Sequence, residues 1–183
     1  MLHYILGLPD AFLADLRARN MAKMPVLSRY RRPLVHFTYL LRQAERFARD
    51  TSGVSKLLGK LYRSRARSYG AKYGITIPIN VFDEGLFIVH YGSVIVSGDA
   101  RIGKNCRIHS GVNIGFFRGA PVIGDNVYIG PGAKLFGPIT IGNDVKIGAN
   151  SVINFDVPDD ATVVAPLGRI LDRSNEATVA ESQ

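Results

Sequence analysis

The chain has 183 residues, 46% of them hydrophobic, with 19 glycines and no tryptophan. That length allows one good-sized core, or one domain with a smaller appendage, and the apolar content excludes a disordered chain. Residues 1–76 hold fifteen Lys and Arg against four Asp and Glu, and the rest hold eight against eleven, so the net +8 belongs to the front of the chain; no recognition motif accompanies it, so nucleic acid is not an expected partner.

The run from Met1 to Pro9 is apolar, but no basic residue precedes it, no small-residue cleavage site follows and Asp10 ends it. It reads as neither a signal peptide nor a bilayer span. Ala11 to Ala22 forms a short amphipathic run, and Pro25 and Pro33 punctuate the chain, with Pro33 placed for a helix's first turn. Leu34, Phe37, Leu41, Ala44 and Ala48 then keep helical spacing, as do Val54, Leu57, Leu58, Leu61 and Tyr62. Gly70 and Gly74 close this region, so residues 1–74 are expected to be an α-helical segment. Arg29, Arg31 and Arg32 form one basic cluster and Arg63, Arg65 and Arg67 another. They read as solvated helix faces, or as attraction to something anionic: a phosphorylated cofactor, a nucleotide sugar, a polyanionic glycan or the cytoplasmic membrane surface.

From Ile75 the chain changes to short β-type runs broken by glycine and Asn/Asp turns. From Ile102 to Val157 an aliphatic residue recurs every six residues: Ile102, Ile108, Ile114, then Ile123, Ile129, Leu135, Ile141, Ile147 and Ile153. A short fixed period is the mark of a solenoid, in which each repeat buries its apolar face only by stacking on its neighbours. Two or three extended residues make a flat strand, a turn bends the chain by about a third of a circle, and three steps make one coil. Aliphatics eighteen apart are expected to stack: Ile123 on Ile141, Ile129 on Ile147, Leu135 on Ile153. Ile114 and Ile123 are nine apart, so Phe116 to Pro121 is expected to bulge outward. Upstream, Phe82, Ile88 and Val94 keep the period, and two extra residues then precede Ile102. The solenoid is expected to run from about Thr76 to Pro166. Cys106, the one cysteine, falls on an inward-facing small position and reads as core packing; a lone cysteine closes no internal disulfide and fits a reducing, cytoplasmic setting. The end, Asn175 to Gln183, is polar and is expected to fray.

The stretches "GLFIVHYGSVIVSGDARIGKNCRIHSGVNIG" and "IGDNVYIGPGAKLFGPITIGNDVKIGANSVINFDVPDDATVVAPLGRIL" resemble the hexapeptide-repeat acyltransferases, and within them the serine acetyltransferase branch. The chain looks most similar to the short O-acetyltransferases of polysaccharide gene clusters. The resemblance covers residues 75–171 and implies a left-handed parallel β-helix, mainly β, with the α-helical segment before it and a tail at 172–183. It implies acetyl-CoA as donor, a hydroxyl-bearing acceptor, and a homotrimer with its site in the groove between adjacent β-helices, assembling further in some members through the N-terminal helices.

Acetyl transfer from a thioester to an alcohol needs a base for the hydroxyl proton. Histidine suits it, with an ordinary pKa near 6.5, and only His90 and His109 lie in the repeat. His90 matches the catalytic histidine of the family. Its place two residues after Ile88 aligns it with Ser110, Pro131 and Ala149, an expected ridge that could hold a pantetheine arm. The resemblance maps cofactor contacts onto Gly115, Gly130, Pro131, Gly148 and Ala149, with Arg169 as a phosphate partner and Gly115 as a candidate oxyanion donor. For each glycine, turn geometry is the competing reading. His109, Tyr91 and Asp83 are candidate acceptor contacts, and no metal site is expected, since two histidines nineteen apart do not make the three-imidazole set of a zinc hydratase.

Two departures concern the acceptor. Serine acetyltransferases carry an aspartate fifteen residues before the catalytic histidine, where this chain has Ile75, and a second active-site histidine that aligns with Ala120. Their loss moves the expectation toward an acetyl-CoA-dependent O-acetyltransferase acting on a saccharide or polysaccharide precursor. A serine O-acetyltransferase with a rearranged site is the alternative, and a non-catalytic scaffold a more distant one. The extra residues after Val94 and the loop 116–121 are both expected to flank His90.

Overall fold

A computed structural model describes residues 8–24 and 31–169. The Met1–Gly7 part of the apolar start, Pro25, Arg29 and the polar tail lie outside the described residues. Among the described residues three helices come first: α1 (Asp10–Arg17), α2 (Pro33–Arg49) and α3 (Gly53–Lys72). The strands follow, β1 (Ile75–Thr76), β2 (Phe87–Ile88), β3 (Val94–Val96), β4 (Arg101–Ile102), β5 (Arg107–Ile108), β6 (Asn113–Gly115) and β7 (Val122–Ile123). The last six are β8 (Tyr128–Ile129), β9 (Lys134–Phe136), β10 (Thr140–Ile141), β11 (Lys146–Ile147), β12 (Val152–Ile153) and β13 (Thr162–Val163).

The strands pair only in parallel and only with strands one coil away, giving three sheets: β1-β3-β6-β9-β12, then β4-β7-β10, then β2-β5-β8-β11-β13. This is a parallel β-helix of about five turns behind a helical segment, the architecture expected of the repeat. The stacking follows the six-residue register: Ile141 faces Ile123, Ile147 faces Ile129 and Ile153 faces Leu135. These side chains are at most 2% exposed and form the core that runs the length of the helix. Cys106 lies in it, and burial pushes its thiol up to about 12, so it packs as a small apolar residue.

The glycine after many of the aliphatics has a steric cause. A Cβ on Gly103, Gly124 or Gly142 would strike the side-chain oxygen of Asp125, Asn143 or Asp159 in the next coil. Those oxygens accept from the backbone N–H groups of Lys104, Asp125 and Asn143 at 2.7, 2.9 and 2.7 Å. At the same corner Asn105, Asn126 and Asp144 sit in the left-handed region, at φ 56°, 60° and 57°, where Asn and Asp are tolerated better than other side chains. The corner is thus held by side-chain to backbone bonds between coils.

Two details differ from the expected pattern. Val96, not Val94, stacks on Ile114, and Val94 stacks on Ile75. The spacing from Ile88 to Val96 is eight and from Val96 to Ile102 six, so the two extra residues fall at the corner after Ile88. The loop 116–121 does bulge, but between β6 and β7, at the far edge of the first sheet from that corner. Its tip leaves Phe116 and Phe117 exposed, while Pro121 is buried.

The helical segment also departs from expectation. α1 ends at Arg17, earlier than the amphipathic run suggests, and the chain turns through Asn20 at φ 56°. In α2 Phe47 is buried and Ala48 exposed. In α3 the side packed on the protein is Ser55, Gly59, Tyr62, Ala66 and Gly70, whereas Val54, Leu57 and Leu61 face outward. Small residues let the backbones approach: a Cβ on Gly70 would meet the carbonyl of Ile75 and the Phe37 ring. Gly70 therefore joins α3 to the first coil and does not end it; Gly74, at φ 70°, makes the turn into β1.

One buried ionic cluster ties the helices to the β-helix. Arg42 Nε donates to Asp15 at 2.8 Å, and its Nη1 donates to Glu45 and to the Phe82 carbonyl, both at 2.8 Å. Asp15 in turn accepts from Leu86 N at 2.8 Å, and Glu45 from Asn80 N at 2.8 Å. The Arg42 and Asp15 side chains are 2% and 0% exposed, so removing one partner leaves a buried charge uncompensated. Replacing Arg42 by Ala is expected to lower stability by about 3–5 kcal/mol, read from urea unfolding; a loss under about 1 kcal/mol would show the cluster to be dispensable.

Candidate active site

The corner between the third and first sheets carries the sequence-selected residues. Because Ile88, Ile108, Ile129 and Ile147 stack, the residues two places on, His90, Ser110, Pro131 and Ala149, lie in one column along the β-helix. His90, Pro131 and Ala149 are exposed and Ser110 is half-buried. Three strand spacings of ~4.8 Å separate the first from the last, so the ridge runs about 14 Å.

The residues one place after the aliphatics are Val89, His109, Gly130 and Gly148. A Cβ on Gly130 would press on the Ile147 carbonyl and the Ala149 amide, and one on Gly148 on the Val163 carbonyl. Neither glycine has a positive φ. Close approach of the next coil, and not turn geometry, is what requires glycine here.

The extra residues at this corner, Tyr91 and Gly92, give His90 its setting. Gly92, at φ 136°, lies against the Ser110 Cβ position, and its N–H donates to the Tyr73 carbonyl at 3.1 Å. Tyr91 is 62% exposed and its ring stands 5.8 Å from that of Tyr73. The lengthened corner is thereby pinned to the end of α3, with His90 exposed beside it.

His90 and His109 come together, their ring centroids 6.0 Å apart. His109 meets Tyr128 edge-on at 5.2 Å, and its Nε2 is buried with no hydrogen-bond partner among the described residues. Desolvation, then the charges of Arg107 and His90, hold the His109 pKa below its ordinary 6.5. Sequence reasoning did not select Arg107 or Tyr128. Arg107 lies between two rings of the neighbouring coils, 5.2 Å from the Phe87 centroid and 5.8 Å from that of Tyr128. Both precede an inward aliphatic, and that position marks them as outward-facing neighbours of the residue after it. Lys134, also unselected, places its Nζ at 2.7 and 2.9 Å from the carbonyls of Gly111 and Gly132, beside the ridge.

Other selected residues lie elsewhere within the chain. Asp83 is at the corner before β2, one sheet edge away from His90; its backbone N–H donates to Ile102 and its carbonyl accepts from Arg42. Gly115 ends β6 at the far edge of the first sheet, opposite Phe136. Arg169 is exposed, six residues beyond β13. Ile75 is 3% exposed in the core, and Ala120 packs against that core. Among the described residues no group of three or more His, Cys, Asp or Glu is gathered as a metal site would require.

The family model for bacterial transferase hexapeptide, six repeats, matches residues 120–154. A serine acetyltransferase of Synechococcus elongatus is 42% identical over 96 residues, covering 50% of this chain and 39% of that enzyme. A serine acetyltransferase of Helicobacter pylori is 37% identical over 118 residues, 60% of this chain and 69% of the relative. The chain therefore spans about two fifths of the first relative and about two thirds of the second. Among solved structures, soybean serine acetyltransferase complexed with serine superposes with a TM-score of 0.69 at 28% identity, covering 88% of this chain and 68% of that one. The Neisseria gonorrhoeae serine acetyltransferase in complex with serine gives 0.64 at 32%, covering 85% and 66%.

The His109 environment makes a titration forecast. Its folded pKa is depressed, so as pH falls below 6.5 the unfolded chain takes up a proton that the folded chain resists, and this ring lowers stability until pH passes the folded value. Ring-proton NMR is expected to give His109 a midpoint below 6.5, and His90→Asn is expected to raise it by removing one repelling charge. A midpoint that ignores that substitution would show the two rings to be electrostatically independent.

Proposed function

The chain belongs to the serine acetyltransferase family of the hexapeptide-repeat transferases, and from that premise we propose that it transfers the acetyl group of acetyl-CoA to the hydroxyl of free L-serine. The observation that carries the serine reading is the match to the Helicobacter pylori serine acetyltransferase, 37% identical over 69% of that enzyme's length. The exposed His90, at one end of a ridge of small side chains, supports the chemistry.

In this reading the pantetheine arm lies along Ser110, Pro131 and Ala149, with the thioester at the His90 end and the phosphates toward Arg169. His90 takes the proton of the acceptor hydroxyl as its oxygen bonds to the thioester carbonyl carbon. The tetrahedral intermediate collapses with cleavage of the C–S bond, and the departing thiolate takes the proton back from the imidazolium. A backbone N–H would stabilise the oxyanion. Within one chain Gly115 is too far round the coil for this, so its role would be across the groove to a neighbouring copy. A homotrimer would also cover Ile95, Val122 and Val152, aliphatics 44%, 51% and 59% exposed on the outer faces of the first two sheets. The His109 ring beside His90, whose pKa is held below its ordinary value by desolvation and then by Arg107 and His90, is assigned to the acceptor, as a hydrogen-bonding partner for its polar groups.

A second reading, a saccharide hydroxyl as acceptor, is favoured by one observation. Ile75 is sealed in the core and Ala120 packs against it, so the acid and second imidazole that the family resemblance implies have no counterparts at these positions. The saccharide reading predicts no turnover with serine.

Thiol release from acetyl-CoA, measured with L-serine and with a panel of sugars and nucleotide sugars, separates the two; release only with sugars would overturn the serine assignment. His90→Ala and His90→Asn are expected to lower the rate by about 10²–10⁴ while CoA binding by calorimetry persists. Turnover undiminished in both variants would remove His90 from the chemistry.

A further inference from the structure

We propose that the outward face of α3 docks the protein on an anionic phospholipid surface. α3 holds six cations, Lys56, Lys60, Arg63, Arg65, Arg67 and Lys72, and no acidic residue. All six are exposed. Away from the packed side of Ser55, Gly59, Tyr62 and Ala66, three aliphatics stand in solvent: Val54 71%, Leu57 69% and Leu61 42% exposed.

The helical period places these groups relative to one another. At about 100° per residue Val54, Leu57 and Leu61 fall within an arc of about 60°, nearly opposite Ala66, and extend about 10 Å along the axis. Lys56, Lys60 and Arg67 follow on one flank and Arg65 on the other, while Lys72 stands on the line of Val54 about five turns further along. An apolar stripe bordered by cations on both sides is the pattern of a helix that lies in a membrane interface. The nearest acid, Asp50, is occupied by Ser52 N at 3.0 Å and by the Ser55 hydroxyl. Asp50 itself lines, with Lys56, Lys60 and Arg63, a depression of about 300 Å³ between α2 and α3, where three cations stand against one carboxylate.

Charge complementarity selects the occupant. A second copy set face to face would oppose six cations to six, with no carboxylate on the helix to relieve them. A soluble anionic polymer would answer the cations and leave the aliphatic stripe wet. An anionic bilayer supplies phosphates for the flanks and hydrocarbon for the stripe. No helix among the described residues is long and apolar enough to cross a membrane, so the contact is peripheral. It stands independently of the acetyl-transfer reading.

The test is co-sedimentation of the full chain with phosphatidylcholine vesicles, with and without phosphatidylglycerol. The protein is expected to sediment with the phosphatidylglycerol vesicles and to be released by high salt. A triple Lys56→Gln, Lys60→Gln, Arg63→Gln variant is expected to weaken partitioning roughly a hundredfold, at about fivefold per cation. Leu57→Ser with Leu61→Ser is expected to weaken it at least about tenfold, both variants keeping the parent's circular dichroism and its vesicle-free thiol release. Absence of binding, equal binding to both vesicle types, or binding unaffected by either variant would overturn the proposal. So would ultracentrifugation showing that the double Leu variant dissociates the oligomer, which would assign the face to a second copy.

Discussion

The structure rests on one constraint: each inward aliphatic is buried only because another stands one coil above or below it. Ile108 is enclosed by Ile88 and Ile129, and Ile129 by Ile108 and Ile147. No single coil could bury its own apolar face. Register therefore propagates along the chain, and it carries the outward residues with it. The column of His90, Ser110, Pro131 and Ala149 is a consequence of core stacking, expressed on the surface one turn of chain later. The glycines obey the same constraint, since coils at strand spacing leave no room for a Cβ beneath the Asp and Asn oxygens that bind the next backbone.

Where the register is broken, the surface acquires features that stacking alone would not give. Two residues inserted after Ile88 lengthen the corner at His90 and let Gly92 and Tyr91 reach back to Tyr73, at the end of α3. The helical segment also reaches the first coil through Arg42, whose guanidinium holds Asp15, Glu45 and the Phe82 carbonyl at once. The helices are thus part of the platform that positions the His90 corner. The aliphatic face that α3 turns away from that platform has no partner among the described residues.

Much of this was legible in the sequence because a six-residue period is a strong physical signal. The stacked pairs, the buried Cys106, the outward loop and the His90 column all follow from counting. What counting could not place were the effects of insertion. An extra pair of residues can be absorbed at either of two adjacent corners, and only the packing of Val94 on Ile75 and Val96 on Ile114 decides between them. Helical spacing grouped Val54, Leu57, Leu58, Leu61 and Tyr62, yet Tyr62 is buried while Val54, Leu57 and Leu61 face outward; the small residues Gly59, Ala66 and Gly70 are the clue to which side is packed. The loop 116–121 was expected beside His90, yet it sits at the far edge of the first sheet, so any part it takes in that site comes from a neighbouring copy. The acceptor was least legible. Family likeness favours serine, whereas the buried Ile75 and packed Ala120 depart from the family's acceptor groups, and His109 adds an imidazole at 6.0 Å from the His90 ring.

We propose that the donor lies at the corner between the third and first sheets. A crystal structure of the protein with CoA tests it most directly. The pantetheine arm is expected to run beside Ser110, Pro131 and Ala149 with its thiol at the His90 end. CoA lying along the opposite edge of the first sheet, with its thiol remote from His90 of every copy, would contradict it.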